Sequence, residues 1–110
     1  MKPTDFSFSE GRVTHWDFSE LDVSRKPSEQ ADELKEDMAQ VSYGAHLVLD
    51  IGWYPSFDAN GSFRVVVVRD ERWDSPIYSD VCDSWESLKQ SVERAVRAAN
   101  SAGPSGHVGS

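Results

Sequence analysis

The chain has 110 residues, and 19 acidic against 11 basic side chains give it a formal net charge of −8. That length suits one domain with its own core. A content of 38% hydrophobic residues, four of them tryptophan, excludes a chain disordered throughout. The charge excludes a phosphate backbone as a favoured partner and points instead to a basic protein.

Cys82 is the sole cysteine, so no internal disulfide can form, and a single thiol fits a reducing compartment. The start MKPTDFSFSE lacks an apolar signal core, and no window approaches the roughly 18 apolar residues of a membrane span. The expected setting is therefore the cytoplasm, with no membrane partner. Acid is concentrated toward the front: residues 1–44 hold ten acids and five bases, and residues 45–110 hold nine and six.

Residues 1–24 read in two ways. Glu10-Gly11 between Phe6-Ser7-Phe8 and Arg12–Trp16 suits a short hairpin, and an extended arm packing Trp16 and Phe18 onto a sheet suits the same residues. A first helix is predicted from about Pro27 to Val41. Pro27 fits an early helical position, and Ala31, Leu34, Met38 and Val41 recur at spacings of three and four. Gly44 would end it.

From Ala45 to Trp53 apolar residues alternate with His46, Asp50 and Gly52, the period-2 pattern of a half-buried strand. Pro55 stops that ladder, and Asn60-Gly61 suits a tight reversal. Phe63–Arg69 would return, its valine run apolar on both faces as in the middle of a sheet. A turn at Trp73–Pro76 precedes a third strand, Ile77–Cys82. The closing helix has Asp83 as predicted cap, with Glu86 completing a capping box. Its apolar stripe is Trp85, Leu88, Val92, Ala95, Val96 and Ala99, with Arg94 and Arg97 late enough to favour the macrodipole. Gly103-Pro104 would stop it, leaving residues 103–110 as a mobile tail.

The predicted fold class is α+β: one two-layer domain over residues 1–102, in the order α-β-β-β-α. A meander of three or more antiparallel strands would carry both helices on one face. Val66 and Val68, or their alternates, would then need cover from the N-terminal aromatics or from a second chain.

Ile51-Gly52-Trp53-Tyr54-Pro55, then Asp58, Gly61 and Phe63, the valine run, Trp73 and Pro76 resemble a pattern found in small bacterial immunity proteins. These act in contact-dependent growth inhibition and related polymorphic toxin systems. The likeness covers the middle third of the chain and, more loosely, the closing helix. It implies a protein that binds and neutralises a cognate toxin C-terminal domain, such as a basic nuclease. Asp32, Glu33, Glu36 and Asp37 are the expected steering residues, and Tyr54, Asp58, Trp73 and Asp74 the expected contacts. The other reading is an acidic secretion chaperone holding an effector segment extended.

Catalytic, cofactor and metal expectations are all none. No Gly-rich phosphate loop, paired ligand spacing or nucleophile motif is present in the sequence. A Cys82–His46 pair could make a nucleophile and base, though a strand cysteine is more often a small core residue. Asp50, Asp58 and Asp70 read as turn or solvated strand positions.

Overall fold

A computed structural model describes residues 1–102; the expected tail and the Gly103-Pro104 stop lie outside the described residues. It has five strands and one α-helix: β1 (Arg12–Trp16), β2 (Ala39–Tyr43), β3 (Leu47–Tyr54), β4 (Ser62–Arg69), β5 (Tyr78–Cys82) and α1 (Trp85–Ala102). The strands form one antiparallel sheet in the order β1-β2-β3-β4-β5, so each pairs with its neighbour in sequence. The α+β class and the meander stand. The strand count rises from three to five, and the α-β-β-β-α order is corrected.

The helix expected over Pro27–Val41 does not form. Pro27–Glu33 makes two short 3-10 turns joined at Gln30, whose backbone (φ −129°, ψ 34°) leaves the helical region. The cause lies in the Gln30 side chain, which is buried. Its amide donates to Asp22 O (2.7 Å), and its Oε1 accepts from Asp22 N (3.0 Å). A buried amide with both ends satisfied outweighs a helix propensity of tenths of a kcal/mol per residue. Beyond it, Ala39, Val41 and Tyr43 are buried while Gln40 and Ser42 are half-buried, a strand period hidden inside the three-and-four spacing. Gly44 (φ 72°) turns the β2–β3 hairpin and caps no helix.

The N-terminal arm reading is the nearer one, with Arg12–Trp16 extended as edge strand β1. Phe6 stacks on Phe8 (5.5 Å between centroids), and a chain of rings continues through Trp16 and Phe18 to Phe63 and Trp85. These rings join the core on the face that α1 covers, so they do not shield Val66 and Val68.

The core face alternates as the strand pattern requires: Leu47, Leu49, Ile51 and Trp53 on β3 lie across from Phe63, Val65 and Val67 on β4, all almost fully buried. α1 packs on β3, β4 and β5, burying Leu88, Val92, Ala95, Val96 and Ala99. Each larger aliphatic there contributes about 1.5–3 kcal/mol. The helix cap is corrected to Ser84, whose Oγ accepts from Ser87 N (3.1 Å) while Ser87 Oγ accepts from Ser84 N (3.3 Å). Arg94 and Arg97 fall short of the last turn, and Arg94 pairs instead with Asp80 (3.1 Å). With one helix rather than two, no helix among the described residues covers the second face of the sheet, where Val48, Asp50 and Val66 are half-buried and Val68 is almost fully buried.

The β3–β4 connection is also longer than a two-residue turn. Tyr54 pairs with Ser62, leaving Pro55–Gly61 as the loop, with a cis bond at Tyr54-Pro55. Phe57, and neither Asn60 nor Gly61, takes positive φ (64°). Gly61 is needed for space: a Cβ would stand 2.5 Å from Trp53 Nε1, which donates to Asp58 O (2.8 Å).

Candidate functional site: an acidic bulge beside an exposed phenylalanine

Ala39 pairs with Ile51, so unbroken register would set residue 37 across from Trp53. The Trp53 amide instead donates to Lys35 O (2.8 Å), and the Met38 amide to Ile51 O (3.1 Å). Two surplus residues on the β2 side, Glu36 and Asp37, are thereby squeezed into a bulge. Gly52 makes the bulge possible. A Cβ there would lie 2.1 Å from the Glu36 carbonyl oxygen, and the Tyr54 hydroxyl donates to that same oxygen (3.4 Å). Residues on β1 pin the other side. His15 Nε2 lies 3.0 Å from Asp37 O, which puts the ring hydrogen on that nitrogen, and 3.2 Å from an Asp17 carboxylate oxygen. Lys35 Nζ meets the same Asp17 oxygen at 2.8 Å and holds that carboxyl below the usual carboxylate range.

The Pro55–Gly61 loop closes over this end. Phe57 N–H donates to Leu34 O (2.7 Å), fixing a residue that is left-handed and 60% exposed. A bulky residue at positive φ is uncommon, and such backbone strain concentrates where a side chain is held for use. The ring stands in an open hollow with Trp16, Asp17, Glu20, Asp32, Glu33 and Lys35. Asp32, Glu33, Glu36 and Asp37 are all exposed. Among the described residues, no cation lies within salt-bridge distance of Asp32, Glu33 or Glu36.

Six of the eight expected partner-binding residues therefore gather at one end of the sheet: Asp32, Glu33, Glu36, Asp37, Tyr54 and Asp58. Tyr54 is half-buried, with the Arg64 guanidinium over its ring (4.9 Å). Asp58 is exposed and accepts from Asn60 N (2.8 Å), a turn contact. Trp73 and Asp74 do not join them. They follow β4, whose last residue Arg69 faces Leu47 at the start of β3, about 23 Å along the strand from Tyr54. Phe57, absent from that set of eight, is the most exposed aromatic at the acidic end; its only sequence signal was an aromatic among acids in a loop.

Asp50 sits mid-strand on the face opposite α1, beside Gln40 and Val66. Burial pushes its carboxyl up to about 6, helped by the nearby Asp37 charge and opposed by Gln40 and His15. Its buried Oδ1 has no hydrogen-bond partner among the described residues. Asp50, Asp58 and Asp70 lie mid-strand, in the loop and at the far strand end, and do not converge.

A Cys82–His46 pair is not made. Cys82 faces Phe63, which faces Trp53, whereas His46 lies at the opposite end of β3 with its Nδ1 2.8 Å from Asp70. Cys82 is buried, and burial pushes its thiol up to about 11, far from a thiolate near neutrality. No helix is long and apolar enough to cross a membrane, and no group of three or more His, Cys, Asp or Glu is placed to hold a metal, among the described residues. Compared with known proteins, the chain matches no family model, no curated protein and no solved structure.

Proposed function

We propose that this chain is an inhibitory binding protein of the immunity class, which occludes a basic toxin domain, such as a nuclease, in the cytoplasm of the producing cell. The observation that carries the reading is Phe57: an exposed ring on a left-handed backbone, standing beside Asp32 and Glu33, which no cation among the described residues reaches within salt-bridge distance. Aromatic anchors in the middle of a charged rim dominate binding energy in such interfaces. Asp32, Glu33, Glu36 and Asp37 would steer a basic partner in, and Phe57 with Tyr54 would slow its departure. Carboxylates placed this way can also occupy the positions where a substrate's phosphates would sit on a nuclease. The sequence likeness around Gly52-Trp53-Tyr54-Pro55 supports the same reading, because Gly52 is the residue that admits the acidic bulge.

The test is growth of cells expressing the C-terminal domain encoded immediately upstream, with and without this chain. Rescue with a one-to-one complex is the expected result, and Phe57→Ala should abolish both while leaving the fold intact. Charge reversal at Glu33 and Glu36 should weaken the complex and flatten its salt dependence. A toxic domain neither bound nor neutralised would overturn that pairing. A partner held as an extended segment would replace immunity with the secretion-chaperone reading.

A further inference from the structure

Three of the four tryptophans serve the fold, and each donates its indole N–H to a backbone carbonyl: Trp16 to Met1, Trp53 to Asp58 and Trp85 to Arg25. Trp73 does not. It is 51% exposed, and among the described residues its ring stacks on no other aromatic and its indole donates to nothing. It walls a hollow of about 310 Å³ on the face of the sheet opposite α1. Half-buried Val48 and almost fully buried Val68, directly paired across β3 and β4, form part of its floor, with Asp70 and Glu71 also in the lining.

The turn that builds this hollow is tight. Arg72 N donates to Arg69 O (3.0 Å) around Asp70 (φ 54°) and Glu71 (φ 60°), and Trp73 N donates to Glu71 O (3.0 Å). Asp70 and Glu71 thus stand in the same tight turn as the ring. His46 Nδ1 engages one oxygen of Asp70 (2.8 Å). Glu71 is in no ion pair among the described residues. The neighbouring Arg69 guanidinium is drawn away to the Ala102 carbonyl at the end of α1.

We propose that this hollow receives an arginine side chain presented by a protein partner. The three parts of the hollow match the three parts of that side chain. Half-buried Val48, above the Val68 floor, accepts the aliphatic stem, the indole face stacks the planar guanidinium, and Asp70 with Glu71 supplies the opposite charge and the acceptors. A neutral apolar side chain would leave both carboxylates unused, and an acidic one would be repelled. The site lies at the end of the hairpin remote from Phe57 and does not rest on the immunity reading.

The experiment is a titration of the full chain with N-acetyl-arginine amide, followed by NMR at the Trp73 indole N–H and the Val48 and Val68 methyls. Saturable shifts at all three, with N-acetyl-citrulline amide (the neutral isostere) producing none, are the expected result. Glu71→Gln should weaken binding about threefold, as for an exposed ion pair. Trp73→Ala should abolish the methyl shifts while the remaining spectrum stays native. No saturable shift, equal shifts with citrulline, or binding of N-acetyl-lysine amide as tight as that of arginine would each overturn the proposal.

Discussion

Gly52 carries more structure than any other single residue of the acidic end. The atom that a Cβ would strike is a backbone carbonyl at 2.1 Å, which cannot swing aside as a flexible side chain could. Gly52→Ala should therefore cost about 1–3 kcal/mol in urea unfolding, the range of overpacked or strained sites. A cost under about 0.5 kcal/mol would show that the bulge yields freely. Asp50 sets a different test. Its carboxyl, raised to about 6 by burial, binds more protons in the folded than in the unfolded chain between about pH 4 and 6. Its contribution to stability thus falls as pH rises through that window, and the penalty is complete above about 6. Because the side chain is only partly buried, the penalty is no more than about 2 kcal/mol. Asp50→Asn should gain that stability at pH 8 and not at pH 4; equal effects at both would refute an ionised, poorly partnered Asp50. Neither residue's role was legible beforehand. Gly52 read as a residue set by backbone geometry on a polar strand face, without the bulge it admits, because a bulge depends on the partner strand. Asp50 read as solvated, because its burial depends on Gln40 and on the bulge beside it.

At the scale of elements, local chemistry was readable where local forces decide. β3 follows from alternation, β4 from a valine run apolar on both faces, and α1 from one apolar stripe, because local pattern and burial agree there. The Pro27–Val41 helix failed because two long-range demands override propensity there. Gln30 is recruited by Asp22, and the edge of β3 takes Ala39–Tyr43 as a partner. Asn60-Gly61 misled similarly, since Phe57 supplies the reversal and Gly61 answers the packing of Trp53. The start of α1 permits a clean comparison. Ser84→Ala should cost about 1 kcal/mol in thermal or chemical unfolding, and Asp83→Ala less than half of that. The reverse order would return the cap to Asp83.

For the whole molecule, the uneven charge noted in the sequence acquires a location. Asp17, Glu20, Asp32 and Glu33 line the hollow around Phe57, and Glu36 and Asp37 lie in the bulge beside it, rather than along a helix face. Replacing Asp32, Glu33, Glu36 and Asp37 with their amides should slow association with a basic partner by about tenfold or more at low salt. Dissociation should change much less, and stopped-flow mixing at two ionic strengths separates the two. A slowed dissociation-limited complex with unchanged association would assign the contact to another surface. The composition gives the excess of acid; the fold gathers six of those acids beside Phe57.

The sheet grows strand by strand along the chain, while the helix that covers it comes from residues 85–102. During synthesis the inward faces of Leu49, Ile51, Val65 and Val67 therefore exist before their cover does. Ribosome-bound chains halted before Trp85 should expose a sticky, dye-binding surface, and the molecule becomes fit for any partner only once its last turns emerge. Nearest-neighbour strand pairing keeps that vulnerable interval short, because no distant segment has to be found before the ladder can close.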